Sequence, residues 1–275
     1  MKFQTIVAPL DGSESARAAL PVASALAQLE HAPLLLLHVS DRPLPPRELA
    51  QKLGLTSEQI RGYVLDQTTG PPADGILRYA GEQEAPLIVL CKHAGTAEPP
   101  DVVGPVTREV VIRAAAPLVL VPPERGSRPW SLRRILLPHD GTPTTAAAMD
   151  PAGTLARRAG AQLHVLYVAA PGAERPTEPG TLTTPRYLDQ PQHEWPSWAA
   201  EFVDRMTALG HPPADLEIRL SVATGAAGEE IVRAARENDA DLIILAWHGR
   251  WEPQRALTAK TVVREAAQPV FLFRL

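Results

Sequence analysis

Short apolar runs recur along the chain, and each is followed by a segment whose apolar positions have helical spacing. Runs rich in Val, Ile and Leu are typical of strands buried on both faces of a parallel sheet, and the segments between them are typical of βα units. The pattern therefore predicts five strands in each half, at 5–10, 34–39, 62–67, 87–91 and 118–121, and then at 134–138, 162–168, 215–223, 242–247 and 270–273.

The helical segments begin with recognisable capping residues. Ser13 and Thr142 stand at N-cap positions before the Ala-rich segments 15–29 and 145–159, and Gly160 marks the end of the second. Further helices are predicted over 74–83, 106–115, 229–238 and 255–267, and a short one over either 47–53 or 57–61. This alternation predicts an α/β fold of two tandem, doubly wound, five-stranded parallel sheets.

The chain contains a long internal repeat. Residues 5–13 and 134–142 are both apolar runs that end in Pro-X-Asp-Gly-Ser/Thr and lead into an Ala-rich helix. A repeat of this length indicates tandem domains, each near the common domain size. We predict a first domain at 1–124, a linker at 125–131 and a second domain at 132–275, in which the Pro-rich segment 170–196 forms a long surface loop.

Composition narrows the class of partner. The net charge of −4 provides no basic surface for a nucleic acid, and the apolar runs are too short to span a membrane. The single cysteine, Cys91, excludes an intrachain disulfide and is predicted to be a buried, inert thiol. We therefore expect a soluble cytoplasmic protein that binds neither nucleic acid nor membrane.

Asp11 and Asp140 end the first strand of each half, and open α/β sheets bind ligands at the carboxyl ends of their strands. A carboxylate in this position can accept a hydrogen bond from an amino or hydroxyl group of a ligand. It can equally cap its own turn, at Gly12 or Gly141. Both interpretations stay open for the residue alone, and its occurrence in both halves favours a binding site.

His93 and His248 follow the fourth strands and begin the loops into the last helices. Such a loop can present backbone N–H groups to a phosphate, and Gly249 would allow close approach while Arg250 adds charge. Trp247 either packs in the core or stacks on a base. The remaining histidines and the cysteine have no metal-ligand spacing, and His38 and His164, which lie within apolar strands, are predicted to occupy core or sheet-face positions.

Taken in order, these motifs resemble the universal stress protein family in tandem form. The resemblance rests on both Pro-X-Asp-Gly-Ser/Thr strand ends, on Gly70 and Gly225 before the third helices, on the His248-Gly249 pair after a strand, and on final helices that end before Pro117 and Pro269. It implies a Rossmann-like, adenine nucleotide alpha hydrolase-like fold. It also implies a pseudo-dimer in which strand 118–121 pairs with 270–273, and it leaves homodimerisation of the whole chain open.

Nucleotide-binding members of that family carry Gly-x-x-Gly, a spacer and then Gly-Ser/Thr, which together cradle the phosphates of ATP at the fourth helix. This chain departs from the pattern in both halves. The strand-end glycines are replaced by Cys91 and Ala94 in the first half and by Ala246 in the second, where Gly249 is kept. The later pair reads Gly104-Pro105 in the first half and Ala256-Leu257 in the second.

These departures predict a weakened phosphate site. Pro105 has neither an N–H group nor a hydroxyl, and Leu257 lacks the hydroxyl. Thr107 and Thr258 are close enough in sequence to offer substitute hydroxyls. Asp140, Val168, His248 and Gly249 survive together, so the second half is the better candidate. The resemblance implies a second-half site of Pro138, Asp140, Val168, His248, Gly249, Arg250 and Thr258, and a first-half counterpart of Pro9, Asp11, Val39, His93, Gly104 and Thr107.

Three functions are compatible with these features. The first is a stress-response protein that binds ATP or another adenine nucleotide weakly, through the second domain, as a regulatory signal. The second is an interaction module of the same fold without nucleotide. The third is an enzyme, and the sequence offers no Ser-His-Asp order, paired catalytic carboxylates or Walker A motif in its support, although weak ATP hydrolysis stays open. The first function is the preferred hypothesis.

Overall fold

The computed structural model describes residues 2–56, 62–93, 103–140, 142–169, 216, 218–249, 251 and 256–274. The strands are β1 (Thr5–Pro9), β2 (Leu34–Ser40), β3 (Val64–Thr69), β4 (Pro86–Cys91), β5 (Leu118–Val121), β6 (Arg134–Pro138), β7 (Gln162–Ala169), β8 (Ile218–Thr224), β9 (Leu242–Trp247) and β10 (Val270–Arg274). The helices are α1 (Glu14–Arg17), α2 (Leu20–Glu30), α3 (Pro46–Lys52), α4 (Pro72–Gly81), α5 (Pro105–Arg113), α6 (Pro143–Ala146), α7 (Met149–Ala159), α8 (Ala227–Glu237) and α9 (Leu257–Glu265). None of the helices in these ranges is long and apolar enough to cross a membrane.

All ten predicted strands are present, and the predicted helices differ from the structure mainly at their ends. The first helix of each half is wrong as a single segment, because it is divided into α1 and α2 and into α6 and α7. Pro21 lies in the first turn of α2, where a residue without an N–H group starts a helix more readily than it continues one. Ser13 is the N-cap of α1, as predicted, and its hydroxyl accepts from the Ala16 N–H at 3.1 Å.

The third strands begin later than predicted because pairing with the second strand defines their start. Val64 is opposite Leu35, and Ile218 is opposite Leu163. Of the two alternatives for the short helix, 47–53 corresponds to α3, whereas 57–61 lies outside the described residues. The segment 170–196 also lies outside them.

The two predicted sheets are joined edge to edge into one. The strand order is β3-β2-β1-β4-β5-β10-β9-β6-β7-β8, and each half is parallel within itself. The join is the predicted pairing of the final strands, β5 with β10, which is antiparallel with Leu120 opposite Val270. In each half the chain order reverses beside the first strand, between β1 and β4 and between β6 and β9. Ligands of open α/β sheets bind at such switch points.

Both faces of the sheet are covered by apolar cores that continue across the two halves. On one face α2 packs near α7, and Phe3 meets Phe271 edge to face with ring centroids 6.0 Å apart. Glu30 of α2, almost fully buried, accepts from the Phe3 N–H at 3.0 Å and pairs with Arg158 Nη1 of α7 at 2.5 Å. The halves therefore share a sheet, two cores and a partly buried ion pair.

Candidate functional site

A cavity of about 650 Å³ lies at the switch point of the second half. The ends of β6, β7 and β9 form its floor, and the first turns of α8 and α9 form its sides. Its walls are mainly apolar, with a few polar groups at one end, as is usual for sites that bind small molecules. The lining residues are Pro138, His139, Asp140, Thr145, Leu166, Val168, Ala227, Ile231, Leu245, Ala246, Trp247, His248, Ala256, Thr258 and Ala259.

Asp140 serves the turn after β6 and lines the cavity at the same time. Its Oδ1 accepts from the Thr142 N–H at 3.0 Å, from the Thr142 hydroxyl at 2.6 Å and from the Thr145 hydroxyl at 2.8 Å. Asp11 makes the equivalent turn in the first half, where Oδ1 accepts from the N–H and the hydroxyl of Ser13 at 2.8 and 2.6 Å. The turn-capping interpretation is therefore observed in both halves, and both carboxylates are also exposed at a cavity.

His139 is a polar residue of the cavity wall whose role sequence reasoning missed. It is 2% exposed, and its Nδ1 lies 3.3 Å from the Thr145 hydroxyl, which links it to Asp140. Burial disfavours the charged imidazolium and lowers the pKa of His139 to about 4, although the negative charge of Asp140 opposes this shift. At neutral pH this end of the cavity therefore presents a neutral imidazole next to a carboxylate.

The N-terminus of α9 forms the side of the cavity where the family resemblance places phosphates. Ala256 is its N-cap and has a left-handed backbone, with φ 54° and ψ 33°, which glycine adopts more easily than alanine. The first helical hydrogen bond runs from the Lys260 N–H to the Ala256 carbonyl, so the N–H groups of Leu257, Thr258 and Ala259 precede the ladder. The matching residue of the first half, Gly104, has a different backbone, with φ −61° and ψ 159°.

Gly249 has a left-handed backbone, which favours glycine, and it lies beside the end of the Arg274 side chain. Its φ is +73°, and a Cβ atom at this position would lie 2.6 Å from Arg274 Nη2. His248 is exposed and lines the cavity, whereas Gly249 does not. Arg250, the charged residue predicted to help, lies outside the described residues.

Trp247 borders the cavity but does not present a free edge to it. The indole is 3% exposed, its N–H donates to the Val111 carbonyl in the first half at 3.4 Å, and its ring packs edge to face on Trp251. Packing, rather than base stacking, is the role that the structure assigns to Trp247.

The matching cavity of the first half is smaller, about 290 Å³. Gly104 has an ordinary extended backbone there, with φ −61°, and Pro105 occupies the first turn of α5. The Thr107 hydroxyl, predicted as a substitute donor, is buried and donates to the Cys91 carbonyl at 3.0 Å. This prediction for Thr107 therefore needs correction, since its hydrogen bond is directed to the protein backbone.

Cys91, at the end of β4, is buried as predicted. Burial disfavours the thiolate and raises the pKa of Cys91 to about 11, even though the His93 carbonyl accepts a hydrogen bond from the thiol. Of the two histidines within the second strands, His38 is buried, with Nδ1 2.8 Å from the Leu10 carbonyl, whereas His164 is partly buried on the sheet, with Nε2 2.7 Å from the Ser221 hydroxyl.

The structure brings most of the predicted residues to the two cavities. In the second half it places Pro138, Asp140, Val168, His248 and Thr258 around one cavity, and in the first half Pro9, Asp11, Val39, Gly104 and Thr107 around the other. His93 is not among the first-half lining residues. Thr145 and Ile231 were missed, although Ile231 recurs at the matching position as Ile76, which lines the first cavity.

At three matching positions the second cavity has a polar side chain where the first has an apolar one. His139 replaces Leu10, Thr145 replaces Ala16, and Thr258 replaces Val106. Each replacement adds a polar side chain to the second cavity. The same backbone scaffold therefore holds a small apolar cavity in one half and a larger, more polar one in the other.

Comparison with known proteins agrees with this architecture. No curated protein sequence matches the chain. A Pseudomonas aeruginosa PAO1 protein described as functionally unknown is 19% identical, with 99% of this chain and 92% of that chain covered and a TM-score of 0.65. A putative universal stress protein from Pseudomonas aeruginosa UCBPP-PA14 is 19% identical, with 99% and 93% covered and a TM-score of 0.65.

A universal stress protein from Archaeoglobus fulgidus DSM 4304 is 15% identical, with 98% of this chain and 96% of that chain covered and a TM-score of 0.61. At these identities the likeness establishes the fold alone. The model of the universal stress protein family matches the sequence twice, over residues 2–122 and 131–274. The chain therefore belongs to the universal stress protein family and carries two copies of its domain.

Proposed function

We propose that the second half of this universal stress protein binds an adenine nucleotide weakly and that the bound nucleotide is a regulatory signal. The observation that carries the proposal is the cavity of about 650 Å³ at the second switch point. Small-molecule sites occupy about 300–1,000 Å³. The first-half cavity, at about 290 Å³, falls at the lower end of that range.

The lining residues fit the parts of a nucleotide. Leu166, Val168 and Leu245 offer an apolar wall to a base, and the exposed carboxylate of Asp140 can accept from ribose hydroxyls. The N–H groups at the start of α9 and the Thr258 hydroxyl lie where a phosphate would need donors. In this proposal Arg250 supplies charge.

Weak binding follows from the departures at α9. Leu257 offers no hydroxyl, and the Ala256 Cβ limits how closely a phosphate approaches. A missing phosphate donor costs about 1–3 kcal/mol, so the lost hydroxyl alone weakens affinity roughly 5- to 150-fold, and the Ala256 Cβ adds to this loss. We expect AMP to lose less affinity than ATP from these changes, because AMP needs fewer phosphate donors.

The test is a calorimetric titration in which ATP, ADP or AMP is added to the wild-type protein and to the Asp140→Asn variant. Asparagine keeps an Oδ1 acceptor for the turn but removes the charge, so the turn is preserved. We expect Asp140→Asn to lower affinity, while the matched control Asp11→Asn leaves it unchanged. Absence of heat with every nucleotide, or equal losses in both variants, would contradict the proposal.

The double variant Ala256→Gly/Leu257→Ser tests the reason for weak binding. It restores the glycine and the hydroxyl that nucleotide-binding members carry, so ATP affinity should rise by roughly tenfold or more. Gly104→Ala/Pro105→Leu, which copies the second-half residues into the first half, serves as the control and should leave ATP affinity unchanged. An unchanged affinity in the first variant would reject the phosphate site as the defect.

A second candidate function is a protein-interaction module. Leu257 is 63% exposed at the mouth of the cavity, in the position where nucleotide-binding members carry Ser or Thr. A single exposed leucine is common on protein surfaces, so this function rests on the loss of the Ser or Thr hydroxyl at this position as well. This function is favoured if calorimetry shows no nucleotide binding and Leu257→Ser leaves that result unchanged.

The proposal describes a binding protein and not an enzyme, and it places the protein in the cytoplasm. Asp140 Oδ1 accepts from the hydroxyls of Thr142 and Thr145 in the turn, so these hydroxyls are held by the protein and are not placed as nucleophiles. The buried Cys91 thiol fits a reducing compartment. Release of inorganic phosphate from ATP that is abolished by Asp140→Asn would contradict the non-enzymatic assignment.

A further inference from the structure

Lys92 follows β4 in the first half and is buried, with 6% of its surface exposed. Its backbone is fixed on both sides: its N–H donates to the Val121 carbonyl at 2.9 Å, and its carbonyl accepts from the Gly104 N–H at 2.8 Å. The start of the side chain is therefore well defined. Burial of an ammonium group requires a specific compensation.

That compensation comes from the other half of the chain. Lys92 Nζ donates to the carbonyls of Val263, Arg264 and Ala266, at 3.2, 3.1 and 3.4 Å. An ammonium has three donor hydrogens, and the last carbonyls of a helix have no partner within the helix. The cation also complements the negative end of the α9 dipole. Lys92 of the first half is thus the C-terminal cap of α9 in the second.

The C-terminus of α5 in the first half is capped in turn by the second half, but by an indole and a guanidinium instead of an ammonium. The α5 C-terminus in the first half accepts from the Trp247 indole through Val111 and from Arg274 through Ile112 and Ala114. Each half therefore caps the final helix of the other. A buried lysine makes this contact only for α9 among the described residues, and α9 borders the larger cavity.

Helix α9 joins the cap to the cavity. Its nine residues form a rigid rod of about 13 Å. Ala256, Thr258 and Ala259 line the cavity at one end, and Lys92 holds the carbonyls at the other. The helix also lies directly against α8, because a Cβ at Gly228 would be 2.6 Å from the Thr261 Cβ. An axial shift of α9 would consequently move the N–H groups at the cavity.

We propose that Lys92 is a positioning residue for ligand binding in the second-half cavity: by capping α9 across the domain interface, it holds the helix N-terminus in register with the ligand. The inference rests on the nucleotide binding proposed above. It makes the affinity of the second half depend on a side chain of the first, whose hydrogen bonds to the second half are to carbonyls at the C-terminal end of α9.

The experiment compares AMP binding by calorimetry in the wild type, Lys92→Met, Lys92→Arg and Lys52→Met. Methionine keeps the length of the side chain and removes its donors, so the dissociation constant should rise roughly tenfold. Arginine retains donors and should recover most of the affinity. Lys52 is an exposed lysine of α3, and its variant should bind as the wild type does. A dissociation constant that is unchanged in Lys92→Met, with only a lower unfolding midpoint, would overturn the proposal.

Amide hydrogen exchange measured without ligand tests the Lys92 cap by itself. It therefore distinguishes a protein that binds no nucleotide from one in which Lys92 does not position α9. The Lys260 amide bonds to Ala256 in the first turn of α9, far along the helix from Lys92. Lys92→Met should speed exchange of this amide more than that of Glu230, whose N–H bonds to Ala226 in the first turn of α8. Equal protection in the variant and the wild type would overturn the positioning role even if no nucleotide binds.

Discussion

His139 makes stability depend on pH, because the folded protein holds it as a buried neutral imidazole with a pKa of about 4. An unfolded histidine has a pKa near 6.5, so between these values the unfolded chain binds a proton that the folded chain does not. The free energy of unfolding therefore falls as the pH decreases from about 6.5 to 4, by up to about 3 kcal/mol at the lower end.

Urea unfolding at several pH values between 7.5 and 4 tests this prediction. His139→Leu places the residue of the matching first-half position, Leu10, at this site and should lose that part of the pH dependence. His31→Asn removes an exposed imidazole at a left-handed position that asparagine tolerates, and it should retain the wild-type pH dependence. Parallel pH profiles for the wild type and His139→Leu would show that His139 does not cause the dependence.

The left-handed backbone of Ala256 predicts a stabilising substitution. A side chain in this conformation costs roughly 1–2 kcal/mol, which glycine avoids. Part of the gain is offset because glycine loses more freedom on folding, so Ala256→Gly should stabilise the protein by up to about 1 kcal/mol. Ala259→Gly, inside the same helix, should instead destabilise it by about 1 kcal/mol. Denaturant midpoints that shift in the same direction for both variants would refute this assignment of strain.

At the scale of single residues, the sequence located the cavity better than it described the contacts in it. The motif placed Asp11 and Asp140 at strand ends, because each follows an apolar run that ends in Pro, and each carboxylate accepts from the Ser or Thr two residues later. Neither the hydrogen bond that occupies Thr107 nor the contact between His139 and Thr145 was predicted. These depend on side-chain direction across a turn, which residue spacing alone does not determine.

At the scale of elements, the close approach of α8 and α9 depends on a missing side chain. A Cβ at Gly228 would lie 2.6 Å from the Thr261 Cβ and 2.8 Å from its Cγ2, so Gly228→Ala forces the helices apart. We expect a loss of about 1–3 kcal/mol in the free energy of unfolding, measured by urea denaturation.

The matched control for Gly228→Ala is Gly81→Ala at the end of α4. A Cβ at Gly81 has nothing within 4 Å, so the better helix propensity of alanine should stabilise the protein by about 0.5–1 kcal/mol. Opposite signs are the expected result. A neutral or stabilising Gly228→Ala would show that α8 and α9 separate without cost.

The elements themselves were largely predictable, because buried parallel strands are continuous apolar runs and glycine or proline bounds many of the helices. What sequence reasoning missed was the division of the first helix in each half. Pro21 is compatible with a helix interior on periodicity alone, and only its place in the first turn of α2 shows that a new helix starts there.

For the whole molecule, the predicted pairing of the final strands unites the two halves more closely than a pseudo-dimer of separate domains. β5 and β10 join the halves into one sheet, both cores cross the join, and Glu30 is buried against Arg158 of the other half. The pairing was predictable because the repeat gives both halves the same final strand. The Glu30–Arg158 and Lys92 contacts were not, because each is made by only one of the two copies.

This shared construction predicts that the halves unfold together. All five tryptophans lie after residue 125, so fluorescence reports the second half and the linker before it, whereas far-UV circular dichroism reports both halves. A single cooperative unit gives coincident urea transitions by the two probes. Independent halves would give a circular dichroism transition that is broader than the fluorescence transition or displaced from it.

A substitution in the ion pair between Glu30 and Arg158 provides a second test of whether the halves unfold together. Arg158→Leu leaves the buried Glu30 carboxylate without its cation, and we expect a cost of about 1–3 kcal/mol, below that of a fully buried pair, because the Arg158 side chain is 30% exposed to solvent. Arg113→Leu removes an ion pair with Asp74 whose side chains are both about half exposed, so it should cost no more than about 1 kcal/mol. Because the Glu30–Arg158 pair links the halves, Arg158→Leu should lower the fluorescence and circular dichroism midpoints together. A shift confined to one probe would mean that the shared sheet does not couple the two domains.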